Sequence, residues 1–128
     1  MSPIVNVEVQ PPRLRGGRCQ VCELVFMPAQ GYGCERCGAT GGDLLAVDID
    51  SRGTVTAATV VYHDPDPQRT VPFRIIEVEV EHGLRVRGLA AAGEDLERGD
   101  RVVLARVPDA PVDDELAGVA FVRAGDAP

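Results

Sequence analysis

The chain has 128 residues, with 13 basic residues that are all arginine, 20 acidic residues, 2 His and 4 Cys. A hydrophobic fraction of 45% and a charged fraction of 26% are ordinary for a globular protein, and the length fits one or two small modules. A net charge of −7 argues against a nucleic-acid binder, which needs a basic face, and no apolar run reaches membrane-spanning length. With neither a signal-peptide pattern nor a lipidation motif, a soluble cytoplasmic protein is expected.

Residues 1–12 contain Pro3, Pro11 and Pro12 and read as an extended arm. Val5, Val7 and Val9 alternate with Asn6, Glu8 and Gln10, so a short strand fits there. The cysteines follow as two knuckles, Cys19-Gln20-Val21-Cys22 and Cys34-Glu35-Arg36-Cys37. Each C-x-x-C turn aims two sulfurs at one point, and the intervening loop brings the turns together around a tetrahedral ion. Gly33 and Gly38 flank the second knuckle, where the backbone must turn tightly. Paired disulfides are disfavoured because nothing marks secretion. A redox pair needs only one of the two motifs. One structural Zn²⁺ held by Cys19, Cys22, Cys34 and Cys37 is expected, with iron in a rubredoxin-like site as the lesser alternative. Arg13, Arg15, Arg18 and Arg36 outnumber Glu23 and Glu35 here, and four thiolates on a divalent ion offset that positive charge. The chain from residue 39 onward carries 9 Arg against 17 acids.

Leu44 to Ile49 is apolar. Gly53 then opens a long β-branched run through His63 in which neither parity is cleanly apolar, the pattern of a bent or bulged strand. Asp64 to Thr70 is a loop with Pro65 and Pro67. Val71 to Glu81 alternates, with Ile76, Val78 and Val80 on one face and Glu77, Glu79 and Glu81 on the other. A three-residue connection, His82-Gly83-Leu84, sets Val80 opposite Val86, Glu81 opposite Arg85 and Glu79 opposite Arg87, with Gly83 at positive φ. Glu94 to Gly99 reads as one helical turn ending at Gly99. Strands over Arg101 to Val107 and Gly118 to Arg123 flank an acidic, Pro-containing loop. The chain is therefore mainly β: an N-terminal four-cysteine zinc ribbon and a five-stranded OB-fold barrel, with a small open sandwich as the weaker alternative. The boundaries expected are an arm at 1–12, the ribbon at 13–46, the barrel at 47–123 and a tail at 124–128.

This order resembles the rubredoxin-like zinc-ribbon plus OB-fold accessory family, the domain of unknown function thirty-five type, found beside thiolases and other acyl-CoA enzymes. The resemblance rests on Arg18-Cys19-Gln20-Val21-Cys22, Phe26, Pro28 and Cys34-Glu35-Arg36-Cys37-Gly38. It continues through Gly53-Thr54-Val55, the His63 to Pro67 loop, Val71-Pro72-Phe73 and Arg98-Gly99-Asp100-Arg101-Val102, and spans residues 13–123. Where the family often has Gly after the first knuckle, this chain has Glu23, and its first twelve residues are too short and Pro-rich for the family's N-terminal helix. The resemblance implies a non-catalytic subunit of a thiolase or a thiolase-like, side-chain-cleaving aldolase. It also implies a hetero-oligomer with two copies per partner dimer, acyl-CoA met through the partner, and a place in steroid or lipid degradation.

The residues themselves agree in what they lack. No G-x-S-x-G elbow, P-loop or Rossmann fingerprint occurs, no acid–base pair can be assembled, and the cysteines are committed to metal. Tyr62, His63, Pro72 and Phe73 border the Pro loop and match the family's corresponding segment, so they form the candidate rim for partner or acyl-CoA contact. A polar strand end entering a Pro loop is the favoured reading of His63, and barrel core or rim packing explains Tyr62 and Phe73 equally well. A single-stranded nucleic-acid module is the alternative class, because ribbon plus OB-fold recurs in such proteins, but the acidic barrel and few aromatic residues weigh against it.

Overall fold

The computed structural model describes residues 5–6, 9–63, 71–106 and 119–124. Two antiparallel sheets account for nearly all of its regular structure. The first is centred on β2 (Arg13–Cys19). It pairs with β1 (Val5–Asn6) at one end, with β3 (Val25–Phe26) near the other, and along its whole length with β4 (Leu44–Ile49). The sheet of the ribbon thus includes Val5 and Asn6 at one end of the sequence and runs to Ile49 at the other.

The second sheet has the order β7-β6-β5-β8-β9, built from β5 (Gly53–Val61), β6 (Phe73–Glu79), β7 (Arg85–Leu89), β8 (Arg101–Arg106) and β9 (Val119–Arg123). A parallel bridge between Ala90 and Phe121 joins β7 to β9 and closes the ring. This is the five-stranded OB barrel expected from the strand order. Its opening Gly53 is dictated by crowding: a side chain there would strike the Glu79 carbonyl and the Val78 side chain. As the mixed parity of β5 implies, a register shift between Val55 and Ala57 marks a bulge.

Alternation sorts the faces. Ile76, Val78, Val86, Val102, Leu104 and Phe121 point inward and are buried. Burying a side chain the size of Phe121 completely contributes about 3 kcal/mol. The same cluster takes in Val5, Leu14 and Ile49 from the first sheet, so ribbon and barrel share one core. Ser51 stands between them, fully buried. Its hydroxyl donates to the Pro12 carbonyl at 2.7 Å and accepts the Leu104 N–H at 3.3 Å. Glu81 ties the same junction from outside, accepting the Asp50 N–H at 2.8 Å and facing Arg13 at 4.0 Å.

Two expectations need correction. The β6–β7 hairpin does have a three-residue connection with Gly83 at positive φ (71°), but it is Glu81-His82-Gly83, with His82 also left-handed at 63°. Val78 therefore lies opposite Val86, Glu79 opposite Arg85 and Glu77 opposite Arg87, two residues away from the expected register. Both registers keep the same residues on the same face, so alternation could not separate them. The helical turn over 94–99 does not form. Leu96 is drawn fully into the core, and the chain makes a tight turn instead. In that turn the Asp100 carboxylate accepts the Glu97 N–H at 2.9 Å and the Asp100 N–H donates to the Glu97 carbonyl at 3.0 Å. Gly99 is left-handed at 97°, as its place at the end of the segment suggested. The expected strand ends at Val107 and Gly118, the Pro loop at 64–70 and the acidic loop fall outside the described residues.

Asp100 is held below its ordinary carboxyl value by the Glu97 N–H and then by Arg123, which reaches it at 3.1 Å. A depressed folded value contributes stability above the unfolded value, and that contribution disappears as pH falls from there through the folded value. Asp100→Asn is expected to flatten stability against pH below the ordinary 3.8, as read by denaturant midpoints across an acid series. An unchanged slope would show that the turn gains nothing from the charge.

Candidate metal centre

Both knuckles are built by the same backbone bonds. The Cys19 N–H donates to the Leu24 carbonyl at 2.9 Å and the Glu23 N–H returns to the Cys19 carbonyl at 2.9 Å. In the second, the Cys34 N–H donates to Ala39 at 2.8 Å and the Gly38 N–H to Cys34 at 2.9 Å. Either turn closes only if the residue after its second cysteine is left-handed: Gly38 at 80° and Glu23 at 66°. Gly adopts this conformation freely and Glu does not. Glu23→Gly is expected to stabilise the protein by up to about 1 kcal/mol, the strain released less the small worth of the exposed Glu23–Arg18 pair. A lower denaturant midpoint for this variant would show that the ion pair, at 3.0 Å, outweighs the strain.

Side chains around the knuckles hold the loops that present them. Gln30 accepts the N–H groups of Tyr32 and Gly33 and donates to the Gly33 carbonyl at 2.7 Å, shaping the approach to Cys34. Gln20 reaches across to the Gly42 carbonyl at 3.1 Å, joining the first knuckle to the start of β4.

The result is convergence of all four sulfurs. The ligand atoms of Cys19, Cys22, Cys34 and Cys37 lie within 4.8 Å of one another. Cys19 to Cys37 and Cys22 to Cys34 are both 3.5 Å. Sulfurs about 2.3 Å from a tetrahedral ion stand about 3.8 Å apart, so the donor set and its spacing fit one Zn²⁺. Cys19 and Cys34 are buried while Cys37 is exposed, which places the centre at the end of the ribbon with one edge toward solvent.

Electrostatics favour anionic sulfur at Cys22 and Cys34. Cys22 is pulled down to about 6, first by the Leu24 N–H and then by Arg36. Cys34 is lowered by the Cys37 backbone N–H. Cys37 is pushed up to about 12: the Ala39 N–H pulls it down, but desolvation of its sulfur and hydrogen bonds with its three neighbouring thiols outweigh that pull. Cys22 therefore loses its proton well before Cys37 does, and cation binding, which requires thiolates, displaces the protons that remain. Arg36 carries a second duty that spacing alone does not show. Its guanidinium donates to the Cys22 carbonyl at 2.6 Å, so a residue inside one knuckle clamps the other.

The second set of candidate residues is more dispersed. Val61 pairs with Phe73, which places Tyr62 and His63 just beyond the end of β5 and Pro72 just before β6. Tyr62 is 76% exposed, His63 and Pro72 are exposed, and Phe73 is half-buried. All four sit at the end of the β5–β6 hairpin where its arms connect, and the connecting loop lies outside the described residues.

A ribbon of four convergent cysteines on an OB barrel is the class of protein these features define. No protein-family model matches the chain. No curated protein is similar to it at a significant level. Among solved structures it is similar to the DUF35 component of the Ltp2-ChsH2(DUF35) aldolase. The two are 29% identical and superpose with a TM-score of 0.68, over 87% of this chain and 84% of that one. No helix among the described residues is long and apolar enough to cross a membrane.

Proposed function

We propose that this protein is a zinc-binding, non-catalytic accessory subunit of a thiolase-like enzyme and a member of the same ribbon and OB-fold family as its structural neighbour. The observation that carries this reading is the likeness to the DUF35 component of an aldolase complex over 87% of the chain. The four-cysteine centre supports it. Four thiolates complete a tetrahedral shell and leave no position for a reacting water, so the metal's role is to hold the ribbon. The enzyme's chemistry, carbon–carbon bond cleavage on an acyl-CoA in lipid or steroid degradation, belongs to the partner. This chain supports assembly of the complex and acyl-CoA access in the cytoplasm, with two copies on a two-fold partner dimer. Tyr62, His63, Pro72 and Phe73 are its contact rim.

Gentle purification of the tagged chain from its own host, with mass spectrometry of what accompanies it, tests the reading. A thiolase-like protein in stoichiometric amount is the expected outcome. RNA or nucleic-acid-handling proteins in its place would favour a nucleic-acid module instead.

A further inference from the structure

The strand β5 changes neighbours at its bulge. Before it, Gly53 and Thr54 pair with Val102 and Arg101 of β8, and Val55 exchanges hydrogen bonds with Gly99 and Asp100. After it, β5 pairs only with β6, from Ala57 opposite Glu77 to Val61 opposite Phe73. The Arg74 carbonyl accepts the Ala90 N–H, so Arg74 turns its backbone groups away from β5. By the alternation of an antiparallel ladder, its opposite number Val60 turns its own N–H and C=O to the other edge, and Ala58 does the same. Among the described residues no strand takes up those groups.

Within its own sequence this edge also lacks the usual guards, and among the described residues no strand covers it. Thr54 to Tyr62 contains no charge and no proline, and most of its residues are β-branched or small. Proteins normally blunt such an edge with Lys, Pro or a covering element, because it is a template for another strand. At its far end stands Tyr62, 76% exposed, which continues the uncharged run beyond the strand.

We infer that the open edge of β5 from Thr56 to Val61 receives an extended segment of the partner enzyme as an added strand, hydrogen-bonded to Ala58 and Val60; this rests on the accessory-subunit reading and specifies its contact. The edge chemistry defines the segment. Alternate backbone donors and acceptors need an extended chain, and the uncharged flanks select uncharged, β-branched residues. The acidic barrel selects basic residues beside them. A second copy of this chain is disfavoured as occupant, because it brings its own −7 to the same place.

The test compares wild type with Val60→Pro and, separately, Thr59→Lys in the full tagged chain. Proline removes one outward N–H from an edge position that the β6 ladder does not use. Lysine places positive charge against the expected basic flank without touching the core. Both variants are expected to keep wild-type circular dichroism and zinc content while the thiolase-like enzyme recovered falls about tenfold or more, the effect of losing backbone hydrogen bonds at a docked strand. The lysine variant covers the case in which the proline variant fails to fold. Wild type and folded variants recovering that enzyme equally would overturn the inference and leave the accessory reading intact. A wild type that recovers no such enzyme would remove both. A homodimer of the isolated chain that either variant dissolves would overturn the choice of occupant.

Discussion

Replacing Cys34 with alanine is expected to release the metal and to unfold the ribbon, and the damage is expected to reach the barrel. A structural Zn²⁺ in a thiolate site contributes about 10 kcal/mol of apparent folding free energy, and three remaining ligands keep only part of it. The ribbon has little else to hold it. Its contributions to the core are chiefly Val5, Leu14 and Ile49, and they are shared with the barrel. Without the knuckles, the β2–β4 ladder loses its clamp at the end where Cys19 pairs with Leu44. Metal content by atomic emission and the thermal midpoint should therefore fall together, in this variant and in wild type treated with a chelator. One equivalent of zinc with an unchanged midpoint would contradict a structural role for the site.

The second large effect is expected at Ser51→Ala. Ser51 is the one buried polar residue among the described residues, and its hydroxyl satisfies a carbonyl from the ribbon side and an N–H from β8. Alanine removes both partners and leaves the Pro12 carbonyl and the Leu104 N–H buried and unpaired. Each unsatisfied group costs about 1–3 kcal/mol, so a loss of about 2–4 kcal/mol is expected. The denaturant midpoint measures the total. Amide exchange at Leu104 localises it, because that N–H should lose protection before the rest of β8. Unchanged exchange at Leu104 would mean that water has taken the hydroxyl's place.

Several features were legible in the sequence because each follows from short-range rules. The two C-x-x-C pairs announce the four-sulfur cluster. Gly53 and the mixed parity of the following run announce a bent first barrel strand, and Gly83 and Gly99 announce left-handed turns. What stayed hidden depends on tertiary choice. Strand alternation is blind to a shift of two residues, so it admits Val80 opposite Val86 as readily as the observed Val78 opposite Val86. Leu96 is the only apolar residue of an otherwise helical-looking stretch, and its burial in the core overrides the local preference. At the metal site, the spacing locates the ligands but not the clamp from Arg36 to the Cys22 carbonyl, which exists only when the knuckles meet. The left-handed Glu23 was marked by its departure from the family's glycine, although Glu itself carries no such preference.

Among the described residues the barrel closes where Ala90 meets Phe121 in parallel and the Ala91 N–H donates to the Phe121 carbonyl at 2.9 Å. Every ligand of the metal centre and every strand of the first sheet precede that seam in the chain. As the protein emerges from the ribosome, the four cysteines become available to a metal ion while the later strands are still being made. Closure then waits for β9, whose Phe121 brings a large fully buried side chain together with the seam itself. Vectorial synthesis is therefore expected to present all four cysteines before the strand that closes the β-ring exists.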